Sequence, residues 1–233
     1  MDEEWFARQR RCMLEDIASE AADVCEYLGK AQLDARVMEV MGRVPRHAFV
    51  PDDMLAHAYQ NRPLPIGYGK TISQPFIVAL MTDLLQLQPD ETVLEIGSGL
   101  GYQTSILTRL ARQVYSVELI EGLARQARER LVRLGYDNVE IRVGNGHLGW
   151  PEHAPYDKVI VTAAPQWIPP ALVDQLKNGG RMVLPVGPSC YQQLLLICKD
   201  EKGEITTREI LPVIFSALER GEPVFVGRGG EAA

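Results

Sequence analysis

Three alternating glycines follow an apolar segment that contains a single acid in the stretch from Val93 to Tyr102. Gly97, Gly99 and Gly101 let the backbone bend sharply and approach a ligand with free amide N–H groups. Their spacing is G-x-G-x-G, whereas the dinucleotide fingerprint that cradles a pyrophosphate is G-x-G-x-x-G. S-adenosylmethionine has no phosphate to cradle, so the spacing favours this ligand. Glu95, the acid beside the turn, is placed to hold the ligand's ammonium group directly or through water.

Further polar residues follow the ends of predicted strands, where an open parallel sheet binds its ligands. Glu118 ends the next strand, and its carboxylate can accept hydrogen bonds from both hydroxyls of a ribose. The Gly144-Asn145-Gly146 turn offers an amide near the adenine edge, and Val161 to Pro165 form a wall of small residues. Considered alone, Glu118 is a solvated strand end and Asn145 a turn residue that tolerates left-handed geometry. Beside the glycine turn, a cofactor role is favoured for Glu118.

The segment Thr71-Ile72-Ser73-Gln74-Pro75 precedes an amphipathic helical pattern. Ser73 is a candidate N-cap there, because serine often accepts a backbone N–H at a helix start and proline favours the first turn. A hydroxyl beside exposed amides can also hold a carboxylate. On its own the position favours the cap, although the two roles do not exclude each other.

Strand-like and helix-like segments alternate from Pro75 onward, and the strands are almost continuously apolar. This alternation predicts an α/β fold, a Rossmann-like, doubly wound and mostly parallel sheet covered by helices on both faces. Residues 194–199 and 205–211 predict a C-terminal antiparallel hairpin. The predicted strands are 92–96, 114–118, 139–143, 158–162 and 181–186, and the predicted helices are 102–111, 121–134 and one that starts at Pro75.

The N-terminal part of the chain has a different pattern. Leu14 to Leu28 repeats apolar residues on one helical face before Gly29, and a second short helix ends near Pro45. The stretch from Phe49 to Gly69 is rich in proline and glycine but also contains aromatic residues. This composition predicts a packed, functional loop instead of a solvated tether.

The chain has 233 residues, of which 46% are hydrophobic, enough for one elaborated domain. We expect a single domain with N-terminal helices and loop at 1–68, a cofactor-binding core at 69–218 and a tail at 219–233. The last residues, Gly227 to Ala233, are expected to fray. The N-terminal helices would form a lid or packing layer beside the cleft.

A net charge of −7 argues against a surface that binds nucleic-acid phosphates. No segment approaches the ~20 apolar residues that span a bilayer, and no leader-like segment opens the chain, so we expect a cytoplasmic protein. The four cysteines form no C-x-x-C pair, and we expect reduced, mostly buried thiols. The four histidines share no metal-ligand spacing, and we expect no metal.

Several segments, in order, resemble the protein-L-isoaspartate O-methyltransferase family over residues 33–218. The segment most specific to this family is Thr71-Ile72-Ser73-Gln74-Pro75, whereas the glycine turn is shared with many methyltransferases. The other matching segments are Val44-Pro45-Arg46, Phe49-Val50-Pro51, Gly144-Asn145-Gly146, Gly149-Trp150, Val161 to Pro165, Gly179-Gly180-Arg181 and Pro185-Val186-Gly187.

The resemblance implies an enzyme that transfers a methyl group from S-adenosylmethionine to the free α-carboxylate of L-isoaspartyl residues in damaged proteins. S-adenosylhomocysteine is the product, and the ester initiates repair through a succinimide. Ser73 matches the family's active-site residue, and Thr71, Ile72 and Val213 match further substrate contacts. We expect isoaspartyl peptides as partners, no nucleic acid or membrane, and a monomer. The positions that match cofactor contacts are Glu95, Gly97, Ser98, Gly99, Gly101, Glu118, Asn145 and Gly146.

One position and one segment depart from the family's pattern. Asn145 stands where the family usually has an aspartate that accepts from the adenine amino group; an asparagine carbonyl can still accept, so we expect weaker or equal cofactor binding. The ending at 213–218 reads Val-Ile-Phe-Ser-Ala-Leu instead of Val-Arg-Phe-Val-Pro-Leu. Two alternatives therefore stay open: methylation of another carboxylate in a dedicated peptide partner, and a non-catalytic S-adenosylmethionine sensor.

Overall fold

The structure is a computed structural model that describes residues 1–221. The predicted fraying of Gly227 to Ala233 lies outside the described residues. Within the described part of the chain, no helix is both long and apolar enough to cross a membrane. No group of three or more His, Cys, Asp or Glu side chains in the same part is placed to hold a metal ion.

The regular elements of residues 1–221 alternate in type along most of the chain. In chain order the α-helices are α1 (Glu3–Asp23), α2 (Cys25–Leu28), α3 (Ala35–Arg43), α4 (Pro75–Leu85), α5 (Tyr102–Thr108), α6 (Glu121–Arg133) and α7 (Pro170–Asp174). The strands are β1 (Leu64–Gly67), β2 (Lys70–Ile72), β3 (Thr92–Ile96), β4 (Gln113–Glu118), β5 (Val139–Val143), β6 (Tyr156–Val161), β7 (Leu176–Val186), β8 (Gln192–Lys199) and β9 (Ile205–Val213).

Strands β3 to β9 form one sheet with the order β5-β4-β3-β6-β7-β8-β9. Strands β3 to β7 are parallel, and β8 and β9 are antiparallel to their neighbours. The chain starts at β3, moves outward to β5 and then returns to the other side of β3 with β6. The order therefore reverses between β3 and β6, where such sheets bind ligands. The predicted doubly wound, mostly parallel sheet with a C-terminal antiparallel hairpin is confirmed.

Side chains of β3 alternate between two apolar cores on opposite faces of the sheet. Val93 belongs to the larger core, which also contains residues of α1, α3, α4 and α5. Leu94 and Ile96 belong to the smaller core under α7. Because strand residues alternate between faces, Glu95 points to the same side as Val93. The single acid of this strand therefore lies inside the protein, and not at an exposed strand end.

The N-terminal helices pack over α4, which in turn contacts β6 and β7. Helix α1 begins directly after Asp2, whose carboxylate accepts the N–H of Trp5 at 2.8 Å. The predicted helix at 14–28 is therefore too short at its start, and it is interrupted at Val24 between α1 and α2. The first turns of α1 are not predicted from the apolar periodicity, because charged residues interrupt the apolar stripe there. One of them, Arg10, donates to the Tyr59 hydroxyl.

Strand β1 lies at the end of the stretch that is predicted as a packed loop, and it forms a hairpin with β2, which directly follows that stretch. Its turn, Gly67-Tyr68-Gly69, has positive φ angles of 88°, 54° and 65°. Strands of four and three residues are too short for alternation to be recognised, so the sequence indicates only a packed segment. The Tyr68 ring lies against Gly122 at the start of α6. The hairpin therefore reaches over the carboxyl edge of the sheet.

The expectation of mostly buried thiols is wrong. Cys12 and Cys190 are exposed, Cys25 and Cys198 are half-buried, and all four are free thiols. The prediction used the average burial of cysteine in proteins, whereas the exposure of each thiol depends on whether its side of the helix or strand packs against another element.

Helix α1 contributes to the stability of the fold through Ile17, whose side chain is completely buried. We expect Ile17→Ala to lower the free energy of unfolding by about 2–4 kcal/mol, because the shortened side chain leaves a cavity. Val132→Ala, on the exposed side of α6, should change it by less than about 0.5 kcal/mol. Chemical denaturation measures both, and equal stabilities would show that α1 is not part of the core.

Candidate functional site

A cavity of about 760 Å³ lies at the carboxyl ends of the parallel strands. Its volume is typical of sites that bind small molecules. Its wall contains residues from the N-terminal helices, the β1–β2 hairpin, the glycine turn, the end of β4 and the segment after β9. The predicted site residues at this wall are Thr71, Ser73, Gly97, Gly99, Glu118, Gly146 and Val213.

The remaining predicted site residues lie beside the cavity and not at its wall: Ile72, Glu95, Ser98, Gly101 and Asn145. The Ile72 side chain packs in the larger core. Gly101 precedes α5 with a φ of 97°. The residues predicted from the sequence therefore include some that lie behind the cavity wall and support it.

The glycine turn is held in place by Thr162, which follows β6. The Thr162 hydroxyl lies 3.0 Å from the carbonyl oxygen of Ile96 and 2.7 Å from that of Gly97, and it donates at this junction. Gly97 has a φ of 93°, and a Cβ there would lie 2.5 Å from the same hydroxyl. A glycine is therefore required both for the backbone angle and for the close approach of Thr162.

Glu118 connects the end of β4 to the glycine turn. Its two carboxylate oxygens accept the N–H groups of Gly99 at 2.9 Å and Ile120 at 3.0 Å. Burial raises the pKa of the Glu118 carboxyl, and these N–H donors oppose the rise by stabilising the anion. Each oxygen keeps a further lone pair, and the residue is at the cavity wall. The predicted acceptance of two ribose hydroxyls is compatible with this geometry.

Glu95 lies behind the turn, and its side chain is completely buried. One oxygen, Oε2, accepts the hydroxyls of Thr104 and Ser116, both at 2.6 Å. Burial raises the pKa of Glu95 to about 7 despite these donors. Within residues 1–221, Glu95 Oε1 and the neighbouring Ser98 Oγ have no hydrogen-bond partner. Two buried polar atoms beside the turn therefore lack a protein partner in this part of the chain, although neither residue lines the cavity.

Asn145 precedes a short 3-10 turn at Gly146–Leu148, and its side-chain oxygen accepts the N–H of His147 at 2.9 Å. Gly146 reaches the cavity wall, whereas Asn145 does not. The amide oxygen has a second lone pair, so the expected contact with the adenine stays a prediction.

The interpretation of Ser73 as an N-cap is wrong. Helix α4 begins at Pro75 with Gln74 before it, and no side chain of that position caps the helix. The free N–H of Phe76 is instead accepted by the side chain of Asn61, at 3.0 Å. A distant residue thus satisfies the helix start, and the Ser73 side chain is left at the cavity wall.

Two residues that sequence reasoning missed support the Ser73 segment. The Glu20 carboxylate, on α1, accepts from Asn61 Nδ2 at 2.7 Å and from Gln74 Nε2 at 2.9 Å. Arg46 donates to the carbonyl oxygen of Ser73 at 2.8 Å. Arg46 belongs to the Val-Pro-Arg segment of the resemblance, which is a signal for it, whereas nothing in the sequence points to Glu20. The N-terminal helices thus form a packing layer that contacts the cleft.

The divergent C-terminal segment forms another part of the wall and is held mainly through its backbone. The Gln192 side chain bonds both the N–H and the carbonyl of Phe215, at 2.7 and 3.1 Å. Ala164 bonds the carbonyl of Ser216 and the N–H of Leu218, both at 2.8 Å. Because backbone groups make these contacts, the side chains at 214–217 can differ from the family's pattern without loss of the wall.

The charged groups at the wall are few, namely Glu20, Lys70, Glu118 and Glu219, and Lys70 forms an ion pair with Glu219. None of the wall residues, all within 1–221, is a histidine. The arrangement is therefore suited to binding and aligning two ligands, one at the glycine turn and one at Ser73.

Comparisons with known proteins match the same region of the chain. Residues 20–222 match the family model described as Protein-L-isoaspartate(D-aspartate) O-methyltransferase. The Protein-L-isoaspartate O-methyltransferase 1 of Polaromonas sp. is 59% identical over 223 residues, 96% of this chain and 94% of the relative. The Protein-L-isoaspartate O-methyltransferase 2 of Syntrophobacter fumaroxidans is 58% identical over 217 residues, 93% of this chain and 88% of the relative.

Two solved structures are similar to the fold. One, described as a protein-L-isoaspartate O-methyltransferase, has a TM-score of 0.78 at 26% identity and covers 92% of this chain and 67% of its own. Another, from Plasmodium falciparum in complex with S-adenosyl-L-homocysteine, has a TM-score of 0.77 at 24% identity and covers 91% and 99%. The second match concerns the fold alone.

We expect Gly97→Ala to disrupt the glycine turn, because the new Cβ meets the Thr162 hydroxyl at a positive φ. Stability should fall by about 2 kcal/mol or more, and affinity for S-adenosylhomocysteine by about tenfold or more. Gly135→Ala is the matched control, since Gly135 has a φ of 73° with no atom within 4 Å of the added Cβ. The control should cost about 1 kcal/mol and keep the affinity. Calorimetry that finds equal affinities in both variants contradicts this role of the turn.

The raised pKa of Glu95 makes stability depend on pH. Its carboxyl has a pKa of 4.5 when exposed and about 7 when buried, so the folded state favours the protonated form. This contribution is complete below pH 4.5 and is lost as pH rises to 7. The glutamine of Glu95→Gln stays neutral, so the free energy of unfolding of this variant should fall less than that of the wild type between pH 4.5 and 7. The difference between the two falls should reach about 3 kcal/mol.

Denaturant titrations of unliganded protein between pH 4.5 and 8 measure this difference. Glu140→Gln, at an exposed position of β5, is the control and should follow the wild-type curve. Parallel curves for wild type and Glu95→Gln would show that Glu95 is ionised throughout the range.

Proposed function

This chain belongs to the protein-L-isoaspartate O-methyltransferase family, and we propose that it methylates the free α-carboxylate of L-isoaspartyl residues with S-adenosylmethionine. The enzyme would thereby initiate the repair of damaged proteins and peptides. One observation carries the proposal: a single cavity has the glycine turn and Glu118 at one side and Thr71 and Ser73 at another. A methyl donor and a carboxylate acceptor can thus meet inside one chain.

The residues around the glycine turn fit S-adenosylmethionine. The Glu118 carboxylate has free lone pairs for ribose hydroxyls, and the partnerless atoms Glu95 Oε1 and Ser98 Oγ lie beside the turn. The expectation of free amides in the turn is wrong for Gly97 and Gly99, whose N–H groups are bonded to the Val117 carbonyl and the Glu118 carboxylate. Gly97, Gly99 and Gly146 would instead let the ligand approach the backbone closely, because they have no Cβ. When bound, this cofactor supplies a methyl group that its sulfonium activates.

The acceptor side requires no general base. An α-carboxylate has a pKa near 3 to 4, so it is already ionised at neutral pH and can act as a nucleophile directly. The protein must therefore orient the carboxylate and exclude water that would stabilise it. The Ser73 hydroxyl, free of the capping role, can donate one hydrogen bond that orients the anion. Thr71, Ile72 and Val213 are proposed as further substrate contacts.

We also propose that the protein acts as a cytoplasmic monomer and that residues 1–233 are a single methyltransferase domain, with N-terminal helices and loop at 1–68, a core at 69–218 and a tail at 219–233. The cavity wall supports this proposal, because residues of α1, the hairpin, the sheet and the C-terminal segment of one chain contribute to it. The net charge of −7 supports the absence of a nucleic-acid partner.

Methyl transfer from labelled S-adenosylmethionine to matched synthetic peptides tests the proposed substrate. The peptides contain L-isoaspartate or L-aspartate at one position and are otherwise identical. We expect label only in the isoaspartyl peptide, released again by mild base as expected for an ester. Transfer to neither peptide by a protein that binds the cofactor would favour a sensor or a dedicated partner.

We expect Ser73→Ala to lower kcat by about 10- to 100-fold, because a misoriented carboxylate reaches the methyl group less often. Affinity for S-adenosylhomocysteine should stay nearly unchanged, since the glycine turn is intact. Ser19→Ala, at an exposed position of α1, is the control for loss of a serine hydroxyl. Wild-type kinetics in Ser73→Ala would remove the proposed catalytic role.

A further inference from the structure

Arg46 is a completely buried arginine without a carboxylate partner among the described residues. Its Nε donates to the carbonyl of Ala58 and its Nη2 to the carbonyl of Ser73, each at 2.8 Å. The third nitrogen, Nη1, has no partner in residues 1–221. Burial lowers the pKa of Arg46 to about 10, so the side chain is positively charged at neutral pH.

The same guanidinium also contacts a buried residue beside the glycine turn. Its carbon lies 4.8 Å from the centroid of the Tyr102 ring, and Tyr102 is the residue that directly follows the glycine turn. Such a cation–π contact contributes to the stability of the buried charge. Arg46 thus bridges the substrate segment and the first turn of α5.

A positive charge at this place is costly for folding alone. Burying an arginine without a counter-ion costs more free energy than packing an apolar side chain of similar volume. Neither of its hydrogen-bonded partners is an anion, since both are backbone carbonyls. The charge therefore has no anionic partner in the described part of the chain, only two carbonyl oxygens and the Tyr102 ring. This environment points to an anion that arrives with the substrate.

The cavity itself has little positive charge to offer an incoming carboxylate. Among residues 1–221, its wall contains Glu20, Glu118 and Glu219 but a single cation, Lys70, which is paired with Glu219. Arg46 lies directly behind Ser73, through whose carbonyl it is bonded. In a partly desolvated site, an opposite charge at this position acts over several ångströms.

We propose that Arg46 is a positioning residue that fixes the Ser73 segment against the glycine turn and places the positive charge that balances the substrate carboxylate. This role rests on the proposed function, because it assumes a carboxylate substrate at Ser73. Arg46 does not line the cavity, so it acts through the Ser73 peptide unit and through its field.

The test compares two peptides on protein saturated with S-adenosylhomocysteine. One peptide contains L-isoaspartate, and the other is identical except that the α-carboxylate is a carboxamide. Calorimetry measures both dissociation constants, and their ratio reports how strongly the protein prefers the charged group. A purely structural role of Arg46 changes both constants equally and leaves the ratio unchanged.

Two variants separate the charge from the hydrogen bonds. Arg46→Gln keeps a donor but removes the charge, and we expect the preference for the carboxylate to fall by about tenfold. Arg46→Lys keeps the charge, and the preference should stay within about threefold of wild type. Arg130→Gln is the matched control, because Arg130 is a half-buried arginine that also donates to a backbone carbonyl, that of Ala48.

An unchanged ratio in Arg46→Gln overturns the proposal, whether the two peptides bind as in the wild type or both bind equally more weakly. Where Arg46→Gln does not fold, judged by circular dichroism and S-adenosylhomocysteine binding, Arg46→Met replaces it, since methionine also removes the charge: a ratio that falls by about tenfold supports the role and an unchanged ratio overturns it. Methylation of the isoaspartyl peptide by the wild type is measured first. Its absence refutes the proposed function itself, and the role of Arg46 falls with it.

Discussion

The contact between Thr162 and the end of β3 is the constraint on which the site depends. The Thr162 N–H is bonded to the Ile96 carbonyl at 2.9 Å, and the Thr162 hydroxyl donates at the same junction. These bonds join β3 and β6 where the order of strands reverses, which is where the helices after the two strands depart to opposite faces. The glycine turn can therefore begin at Gly97, whose N–H is bonded to the Val117 carbonyl at 2.8 Å, while the N–H of Gly101 is bonded to the Ser98 carbonyl. A side chain on Gly97 would occupy the place of the threonine hydroxyl.

Buried charges surround this crevice, and each has a different environment. Burial raises the pKa of both Glu118 and Glu95; backbone N–H donors oppose the rise at Glu118, and hydroxyl donors oppose it at Glu95. Arg46 is held between carbonyls and an aromatic ring. None of these groups is arranged as an acid–base pair. This agrees with chemistry in which the nucleophile arrives already ionised, so that the protein contributes alignment and electrostatics instead of proton transfer.

The C-terminal segment shows why a departure from a family pattern can leave a site intact. Phe215, Ser216 and Leu218 are held by their backbone groups, through the Gln192 side chain and Ala164. Contacts of this kind depend on the path of the chain and place few demands on side-chain type. The wall near Val213 is thus formed by a segment whose sequence departs from the family's pattern.

Local sequence determines most of the strands and helices that follow Pro75 and the position of the glycine turn, because periodicity and glycine spacing are properties of neighbouring residues. The same local patterns could not determine that Ser73 is free, since the N–H of Phe76 is satisfied by the distant Asn61. Nor could they identify Glu20 and Arg46, which are 53 and 27 residues from Ser73 in the chain and meet its segment only through packing. Tertiary structure alone decided these roles, because hydrogen bonds between distant segments leave no periodic trace in the sequence.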